Sequence, residues 1–549
     1  MIIDLNKQKN TLILIAFYLL SITFALLTFK DFGVHIEEIF HYTNGHYWLN
    51  YISKIFGLTD IQKITEIKIG EISDYTLSSV SEYNKFGVVF DVPAAAIEIL
   101  FGIKHLKDVY YLKHILSFLI FLFSSFFFFK ILNQRYKNFL LSFFGLVLYV
   151  TTPRILGDSF LYKDVIFLSF FTITFYFLIK TVDKFNYKNL FFFSIFTALS
   201  VNLRFFALLI PILFIFIIII KNFYLKDYKN ILKKIIFYTL CFIVFLYIFW
   251  PYLWSDPLNN FLDLFTSLKK DLHYAKIFYN NSYITNEALP ETYIINWIII
   301  SSPFLQTIFF IFGYLYCFIR FTRRFIKIKE HSIYNDLWRS KKEEIDIIFL
   351  LFLTIFYFFF ILFNAPLYNG WRLVYFLNIF LIYFAIYFLW LIENIWHKKK
   401  INRLLIPLVI VSIGYNLYAV AKMHPFQSMY FSSLISDEKK NSYEGDYYGL
   451  GSKNFFEKII KIDKSKIIKI AIASHTPLQR GLVAIPKVYR NKFVIVGQEY
   501  SQADYIFKNN ISEVDSKFIQ KYQIPKNFNK IYELKIDNII IYEIFKKII

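Results

Sequence analysis

Long apolar segments decide what this chain can fold into. Runs such as Thr11 to Thr28 reach the roughly 20 residues that a helix needs to cross the hydrocarbon core of a bilayer. The predicted spans cover residues 11–29, 115–130, 139–153, 165–180, 190–203, 205–220, 234–251, 297–319, 347–364, 373–395 and 403–421. The expected fold class is therefore a polytopic α-helical membrane protein with about 11 transmembrane helices.

Composition and charge support a membrane protein and exclude other classes. Of the 549 residues, 57% are hydrophobic and 69 are Phe, which is far above the apolar content of a soluble domain. The net charge of +21 comes from Lys and Arg in short loops between apolar runs, so it indicates membrane topology and no nucleic-acid partner is expected. Only two cysteines occur, both within apolar runs, so the sequence predicts no disulfide framework.

Basic residues orient the predicted spans. Five loops rich in Lys and Arg fall on one side, at 130–137, 180–188, 221–234, 320–342 and 397–403. The positive-inside rule makes that side cytoplasmic, with the N-terminus on the same side. Two long loops, 30–114 and 252–296, are then extracytoplasmic, and their aromatic residues predict interfacial helices.

The last part of the chain has a different pattern. Beyond a membrane domain over residues 1–423, the apolar runs of 424–549 shorten to strand length, at 467–473, 493–496, 505–507 and 538–545. A helical stretch over 453–462 accompanies them. This combination predicts a small extracytoplasmic α/β domain.

An acidic pair follows the first span. Glu37 and Glu38 point about 100° apart on a helix, so only one can face a given site, whereas Glu37 and His41 share a face. A single carboxylate at the membrane surface suits a general base. The alternative is two solvated glutamates that begin an interfacial helix and interact favourably with its dipole.

Charged residues also mark the next outside loops. Arg154, Asp158, Lys163 and Asp164 lie between two predicted spans, where they are either interface anchors or a phosphate-binding and base-positioning group. Arg204 lies in a short turn between two spans and needs a carboxylate or an anionic ligand as its partner.

Three further candidates lie near the last two spans. Arg372 follows Tyr368 and an Asn-Gly turn, so it is either part of a connecting loop or a ligand of a phosphodiester. His424 follows the last span as a hydrogen-bonding ligand or as part of a turn. Histidines and carboxylates show no metal-ligand spacing, so no obligatory metal or other cofactor is expected.

Together these segments resemble a known group of enzymes. The matching motifs are His35-Ile-Glu-Glu, Tyr83-Asn-Lys-Phe-Gly-Val-Val-Phe-Asp-Val-Pro, Pro153-Arg154, Asp158-Ser-Phe-Leu-Tyr-Lys-Asp164, Trp250-Pro-Tyr-Leu-Trp, Tyr368-Asn-Gly-Trp-Arg372, His424-Pro-Phe-Gln and Tyr443-Glu-Gly-Asp-Tyr-Tyr-Gly. In this order and on one side of the membrane, they resemble the GT-C superfamily of polyprenyl-phosphate-sugar-dependent glycosyltransferases, which includes protein O-mannosyltransferases and aminoarabinose transferases.

The resemblance implies a GT-C fold in the bacterial cytoplasmic membrane and specific roles for several residues. Glu37 takes the position of the catalytic base, with Glu38 and Asp31 as rivals, and Asp164 supports the acceptor. Asp31, His41, Asp158, Tyr368 and His424 become substrate-binding candidates. The candidates for the lipid phosphate are Arg154, Lys163, Arg204 and Arg372. The donor is a polyprenyl-phosphate sugar, and the acceptor is a glycan, lipid or protein hydroxyl.

Other functions remain open at the level of sequence. A transporter or lipid flippase is the main rival from another class, although such proteins often contain internal repeats and this chain has none that is visible. A polysaccharide polymerase or ligase with a diphosphate-linked donor would also work on the outer face. A receptor-like or structural membrane protein is the third alternative.

Overall fold

The computed structural model describes residues 2–72, 85–162, 164–222, 228–269, 276–286, 288–327, 340–367, 369–395, 405–509, 511 and 520–548. Its helices in the first half are α1 (Ile2–Thr28), α2 (Glu38–Ile55), α3 (Thr59–Ile72), α4 (Asp91–Leu100), α5 (Leu106–Tyr136), α6 (Phe139–Thr151), α7 (Pro153–Asp158), α8 (Asp164–Asp183), α9 (Tyr187–Leu203), α10 (Leu209–Asn222), α11 (Tyr228–Phe249) and α12 (Pro257–Lys269).

Further helices lie in the second half of the chain. They are α13 (Tyr293–Ser301), α14 (Phe304–Ile326), α15 (Lys341–Leu362), α16 (Asn378–Ile395), α17 (Leu405–Met423), α18 (Asp437–Lys440), α19 (Gly451–Ile462) and α20 (Lys487–Arg490). Short 3₁₀ helices cover Phe205–Leu208, Pro251–Leu253, Arg372–Leu377, Gln427–Met429, Leu478–Ala484, Tyr500–Gln502 and Gln520–Tyr522.

Nine helices within the described ranges are long and apolar enough to cross a membrane, so the chain has the architecture of a multi-pass membrane protein. They lie within Lys7–Thr28, Leu106–Tyr136, Asp164–Asp183, Phe205–Asn222, Tyr228–Phe249, Phe304–Ile326, Lys341–Leu362, Arg372–Asn394 and Ile406–Met423. The other two predicted spans correspond to shorter helices, α6 with 13 residues and α9 with 17. The count of about 11 spans stays a prediction for these two.

One predicted span is interrupted in the structure. The apolar run 297–319 is divided at Ser302 and Pro303 into α13 and α14, and the long helix begins at Phe304. Proline has no backbone N–H for a helical hydrogen bond, so it is favoured at a helix start and disfavoured inside one. The apolar pattern alone cannot reveal this break because both helices are hydrophobic.

Helix α16 forms the centre of the membrane domain. Within its membrane-spanning segment, 89% of the most apolar window is buried, against 6% for α1 and 17% for α11. Helix α14 packs closely along it, since a Cβ on Gly313 would overlap the carbonyl oxygen of Phe384. Small residues permit this approach of two helix backbones within a membrane.

The two long loops that the sequence predicted to be extracytoplasmic contain helices, and the position of these helices at the membrane interface stays a prediction. Helices α2, α3 and α4 form the first loop, where the buried Glu98 carboxylate binds His46 Nε2 at 2.9 Å and Lys68 Nζ at 3.0 Å. The second loop contains α12, α13 and an antiparallel hairpin of β1 (Lys276–Tyr279) and β2 (Ser282–Thr285). The hairpin was not predicted.

The C-terminal region forms a mixed five-stranded sheet. Its strands are β3 (Ile468–Ile472), β4 (Phe493–Ile495), β5 (Tyr505–Lys508), β6 (Phe528–Ile536) and β7 (Ile539–Lys547), in the order β4-β3-β5-β7-β6. Strand β3 runs parallel to β4 and β5, and β7 runs antiparallel to β5 and β6. This agrees with the predicted α/β arrangement, although the sequence prediction did not include β6.

The C-terminal region holds the segment that leads into α2. Ile36 N donates to the carbonyl oxygen of Tyr448 at 3.0 Å. The Lys453 ammonium group donates to the carbonyl oxygen of Lys30, and the Arg480 guanidinium donates to that of Ile36. Backbone contacts on both sides therefore fix the approach to Glu37.

Candidate active site

Four of the predicted residues form a chain of alternating charges. Arg372 Nη2 donates to Glu37 Oε1 at 2.7 Å, and Arg372 Nη1 lies 3.9 Å from Asp164 Oδ2. The other oxygen of Asp164 binds Arg204 Nη2. Three loop segments and the turn at Arg204, which the sequence predicted to share one side of the membrane, thus meet at one place.

Local structure positions each member of this chain. Glu37 immediately precedes α2, and Asp164 is the first residue of α8, where a negative charge interacts favourably with the helix dipole. Arg204 is extended, with φ −146°, between α9 and the next 3₁₀ helix. Arg372 begins its own 3₁₀ helix just after Gly370, whose φ of +65° is readily adopted only by glycine.

The charges are largely removed from solvent. The Arg372 side chain is 3% exposed and that of Asp164 is 5% exposed, whereas Glu37 is 27% exposed. Burying an ion is costly unless an opposite charge accompanies it, and here two carboxylates balance two guanidinium groups. The arrangement is neutral as a unit, so removing one member leaves a buried charge unbalanced.

A small pocket lies at the Arg204 end of this chain, with a cavity volume of about 40 Å³. Its aromatic walls are Phe86, Phe90, Tyr162 and Phe167. Arg204, His41 and Asp91 supply its charged and polar groups. Apolar walls with a few polar groups are typical of small-ligand sites.

His41 and Asp91 form a hydrogen-bonded pair in the wall of this pocket. His41 Nδ1 lies 2.9 Å from Asp91 Oδ2, and Asn44 Nδ2 donates to the same oxygen at 3.0 Å. The carboxylate can only accept when ionised, so His41 Nδ1 carries the proton in this pair. His41 Nε2 has no hydrogen-bond partner within the described part of the chain.

Glu38 faces a different environment from Glu37. Its carboxylate oxygens both lie 3.2 Å from His114 Nε2, and the Tyr162 hydroxyl donates to its backbone carbonyl at 3.0 Å. Burial raises the pKa of Glu38 above its usual range, and the nearby His114 opposes the rise. The adjacent carboxylates therefore point to separate sites, as their helical spacing predicted.

Arg154 lies in an aromatic enclosure beside the charge chain. Arg154 Nε donates to the carbonyl oxygen of Tyr430 at 2.8 Å. The guanidinium carbon lies 5.1 Å from the Trp297 ring centroid and 5.0 Å from that of Phe431. These are cation–π distances, so the ring faces stabilise the buried charge of Arg154.

Asp158 connects the loop before α8 to the C-terminal region. The Tyr448 hydroxyl donates to Asp158 Oδ2 at 2.8 Å. Burial raises the pKa of Asp158 to about 7, against the lowering effect of the hydrogen bond from Tyr448. The contacts of Asp158 thus serve docking of the Tyr448 segment.

The other predicted site residues lie elsewhere or are not described. Asp31 pairs with His424 Nε2 at 3.0 Å, with 51% of the Asp31 side chain exposed, and Gln427 Nε2 donates to His424 Nδ1 at 3.0 Å. Lys163 and Tyr368 lie outside the described residues. In the described part of the chain, no group of three or more His, Cys, Asp and Glu side chains could hold a metal ion. The expectation that no metal or cofactor is required stays a prediction.

Three residues near the site were not singled out from sequence. Asp91 belongs to the motif around residues 83–93, and its position two residues before a proline is a signal for a helix start. His35 Nδ1 accepts from the backbone N–H of Glu37 at 2.8 Å, and the His35 ring lies 4.0 Å from that of Tyr448. His114 lies in an apolar span, where an ionisable residue is a functional candidate by default.

Comparisons with known proteins give little further information. No protein-family model matches the sequence, and no curated protein matches it. Among solved structures, the apo crystal structure of the Archaeoglobus fulgidus oligosaccharyltransferase matches over 83% of this chain, with a TM-score of 0.37 and 10% identity. The match spans 66% of that protein's chain, just under two thirds. A likeness of this degree assigns neither the fold nor the activity.

Proposed function

We propose that this protein is an inverting glycosyltransferase that moves a sugar from a polyprenyl-phosphate donor to an acceptor hydroxyl at the outer face of the membrane. The observation that carries the proposal is the charge chain Glu37–Arg372–Asp164–Arg204 beside an aromatic-walled pocket. The sequence motifs that resemble the GT-C superfamily support the same conclusion, since they contribute Glu37, Asp164 and Arg372.

The chemistry suits a phosphate leaving group. A sugar that departs from a polyprenyl phosphate leaves negative charge on the phosphate, which positively charged side chains stabilise. Arg372 and Arg204 each have five N–H donors, so their ion pairs with Glu37 and Asp164 do not exhaust their capacity to bind an anion. Arg154 and Lys163 are further candidates for the same lipid phosphate.

Direct displacement at the anomeric carbon completes the reaction. A base removes the proton of the acceptor hydroxyl, the oxygen attacks the sugar, and the bond to the phosphate breaks. This single displacement inverts the anomeric centre, so a β-linked lipid donor gives an α-linked product. A glycan, lipid or protein hydroxyl would serve as the acceptor, and no cofactor is needed beyond the membrane lipid donor.

The topology proposed from the basic loops suits this substrate. The N-terminus lies in the cytoplasm, and the charge chain and the C-terminal region lie on the outer side of a bacterial cytoplasmic membrane. The Lys/Arg content of the predicted inside loops supports this orientation. The polyprenyl chain would remain in the bilayer while its sugar phosphate enters the site.

The test is release of lipid phosphate by purified protein in nanodiscs. Donors are polyprenyl-phosphate-linked glucose, mannose, galactose and N-acetylglucosamine, with water or octyl glucoside as acceptor. Turnover by the wild-type protein that falls at least about 100-fold in Asp164→Asn supports the proposal. The exposed residue Glu66 gives a matched control, Glu66→Gln. Absence of turnover with every donor, or a product that retains the donor's anomeric configuration, would contradict it.

A further inference from the structure

The acidic residues expected to act as the base are already engaged. Glu37 binds Arg372 at 2.7 Å, and Glu38 binds His114 in a separate buried site. Asp31 binds His424 in a half-exposed pair. An ion pair with an arginine stabilises the charged form of a carboxylate and makes it a weaker proton acceptor.

A histidine that lines the pocket is suited to act as a general base, whereas these carboxylates are not. Asp91 and Asn44 fix the ring of His41 through a shared carboxylate oxygen, with the proton on Nδ1. The lone pair of Nε2 is then available to accept a proton. This nitrogen has no partner in the described part of the chain, and its side chain lines the pocket together with Arg204.

We propose that His41, oriented by Asp91, is the general base that activates the acceptor hydroxyl. This role rests on the proposed glycosyl transfer and deepens it. In enzymes that activate a nucleophile, the base commonly contacts the nucleophile and is itself oriented by a third group. Glu37 is then a positioning residue, which holds Arg372 in the charge chain.

These groups account for the proton, the bonds and the leaving group of the proposed reaction. His41 Nε2 takes the acceptor's hydroxyl proton while the acceptor oxygen forms a bond to the anomeric carbon. The bond between that carbon and the phosphate oxygen breaks, and its electron pair leaves with the phosphate, which Arg204 stabilises. Asp91 stabilises the imidazolium that forms, and the proton then passes from Nε2 to solvent.

Charged groups from several elements lie near His41. Asp91 on α4 binds His41 Nδ1 at 2.9 Å, and Arg204 lines the same pocket. Glu37 lies one helical turn away, just before α2, and its charge is balanced by Arg372. A general base accepts a proton only in its neutral form, so activity should rise with pH.

The decisive comparison uses the transfer assay described above over pH 5 to 9. We expect His41→Gln to lower kcat by at least about 100-fold with little change in KM, and to remove the acidic limb of the pH profile. Asp91→Asn should lower kcat by about 10- to 100-fold because the ring loses its orientation. The exposed residue His105 gives the control His105→Gln, which should behave as wild type.

Two outcomes separate this role from the proposed function. An active wild-type protein whose His41→Gln variant keeps its kcat and its acidic limb would overturn the role of His41 alone. A wild-type protein inactive with every donor would overturn the glycosyl transfer and this role with it.

A second measurement does not depend on whether a variant folds. ¹⁵N NMR of the histidine-labelled wild-type protein in nanodiscs should show His41 as the Nδ1–H tautomer, with the Nε2 resonance moving when octyl glucoside is added. An Nε2–H tautomer would overturn the proposal, since that nitrogen could not accept a proton.

Discussion

Glu37 accepts a 2.7 Å hydrogen bond from Arg372, although 335 residues separate them in the chain. The contact joins the start of the long loop after α1 to the beginning of the membrane segment that contains α16, which is the most enclosed span among the described residues. The first loop and the membrane core must therefore be docked before the charge chain is complete. A substitution of either residue should therefore alter the position and the charge environment of the other.

We expect Glu37→Gln and Arg372→Gln to lower kcat/KM for transfer by similar factors, about 10- to 100-fold each, because both act through one ion pair. The double variant should be at most about threefold worse than the poorer single variant, which corresponds to strong coupling in a double-mutant cycle. The nanodisc assay for release of lipid phosphate measures all four proteins. Losses that simply multiply in the double variant would show that the two side chains act independently.

The approach of α4 to α2 depends on Gly45. A Cβ at this position would lie 2.5 Å from the carbonyl oxygen of Asp91, so Gly45→Ala should push Asp91 away from His41. We expect a loss of about 1–3 kcal/mol in stability from overpacking. SDS-induced unfolding in mixed micelles measures this change.

Gly70 provides the matched control on α3. Outside its own helix, no heavy atom of the described residues lies within 4 Å of the corresponding Cβ position, and Ala is the better helix former. Gly70→Ala should therefore stabilise the protein by about 0.5–1 kcal/mol. Equal changes in unfolding free energy for Gly45→Ala and Gly70→Ala would contradict the close contact between α2 and α4.

Much of the fold was predictable because hydrophobic length and alternation are local signals. Nine predicted spans correspond to long helices, and four of the five C-terminal strands were recognised. Strand β6 was missed because its sequence, from Phe528 to Ile536, is interrupted by Asn, Lys and Glu, and most of its side chains are exposed or half-buried. An edge strand of this kind buries too little apolar surface to give a clear pattern.

The candidate site was predictable only in part. Charge sidedness placed Glu37, Asp164, Arg204 and Arg372 on one predicted side of the membrane, but it could not reveal which residue pairs with which. The pairings depend on how distant helices pack, and sequence spacing carries no such information. His41 was recognised by its helical spacing from Glu37, whereas its partner Asp91 comes from another helix 50 residues later.

A buried charge cluster lies far from the candidate site, at the opposite ends of the spans. Asp346 accepts from Arg135 Nε at 2.6 Å and Nη2 at 2.8 Å, and from Arg320 Nη2 at 2.8 Å. Asp346→Asn would leave the buried Arg135 without a balancing charge and Arg320 with only Glu343 at 3.8 Å, so we expect a loss of about 3–5 kcal/mol. SDS-induced unfolding in mixed micelles measures the loss.

The pair between Asp183 and Lys341 is the matched control, because the Lys341 side chain is 71% exposed. An ion pair at the surface contributes little, so Asp183→Asn should change stability by less than about 1 kcal/mol. A small effect of Asp346→Asn would indicate that the cluster is solvated in the membrane-bound protein.

Docking of the segment 443–451 should weaken as pH rises. Burial raises the pKa of Glu444 to about 7 and that of Asp446 to about 6, against the effect of hydrogen bonds to each carboxylate. Asp158, which binds Tyr448 in this segment, is raised to about 7. Each group has a higher pKa when docked than when exposed, so its stabilising contribution is complete below about pH 4 and is lost as pH rises towards 7.

Hydrogen exchange of residues 443–451 measures this loss. After correction for intrinsic exchange rates, we expect protection at pH 5.5 to exceed that at pH 8 by at least about tenfold, since one pKa unit corresponds to a factor of ten. Glu444→Gln, which keeps the shape without the charge, should reduce this difference and preserve protection at pH 8. The exposed residue Glu438 supplies the control Glu438→Gln, which should keep the full pH dependence. Protection that rises with pH would mean that these carboxylates are docked in their charged forms.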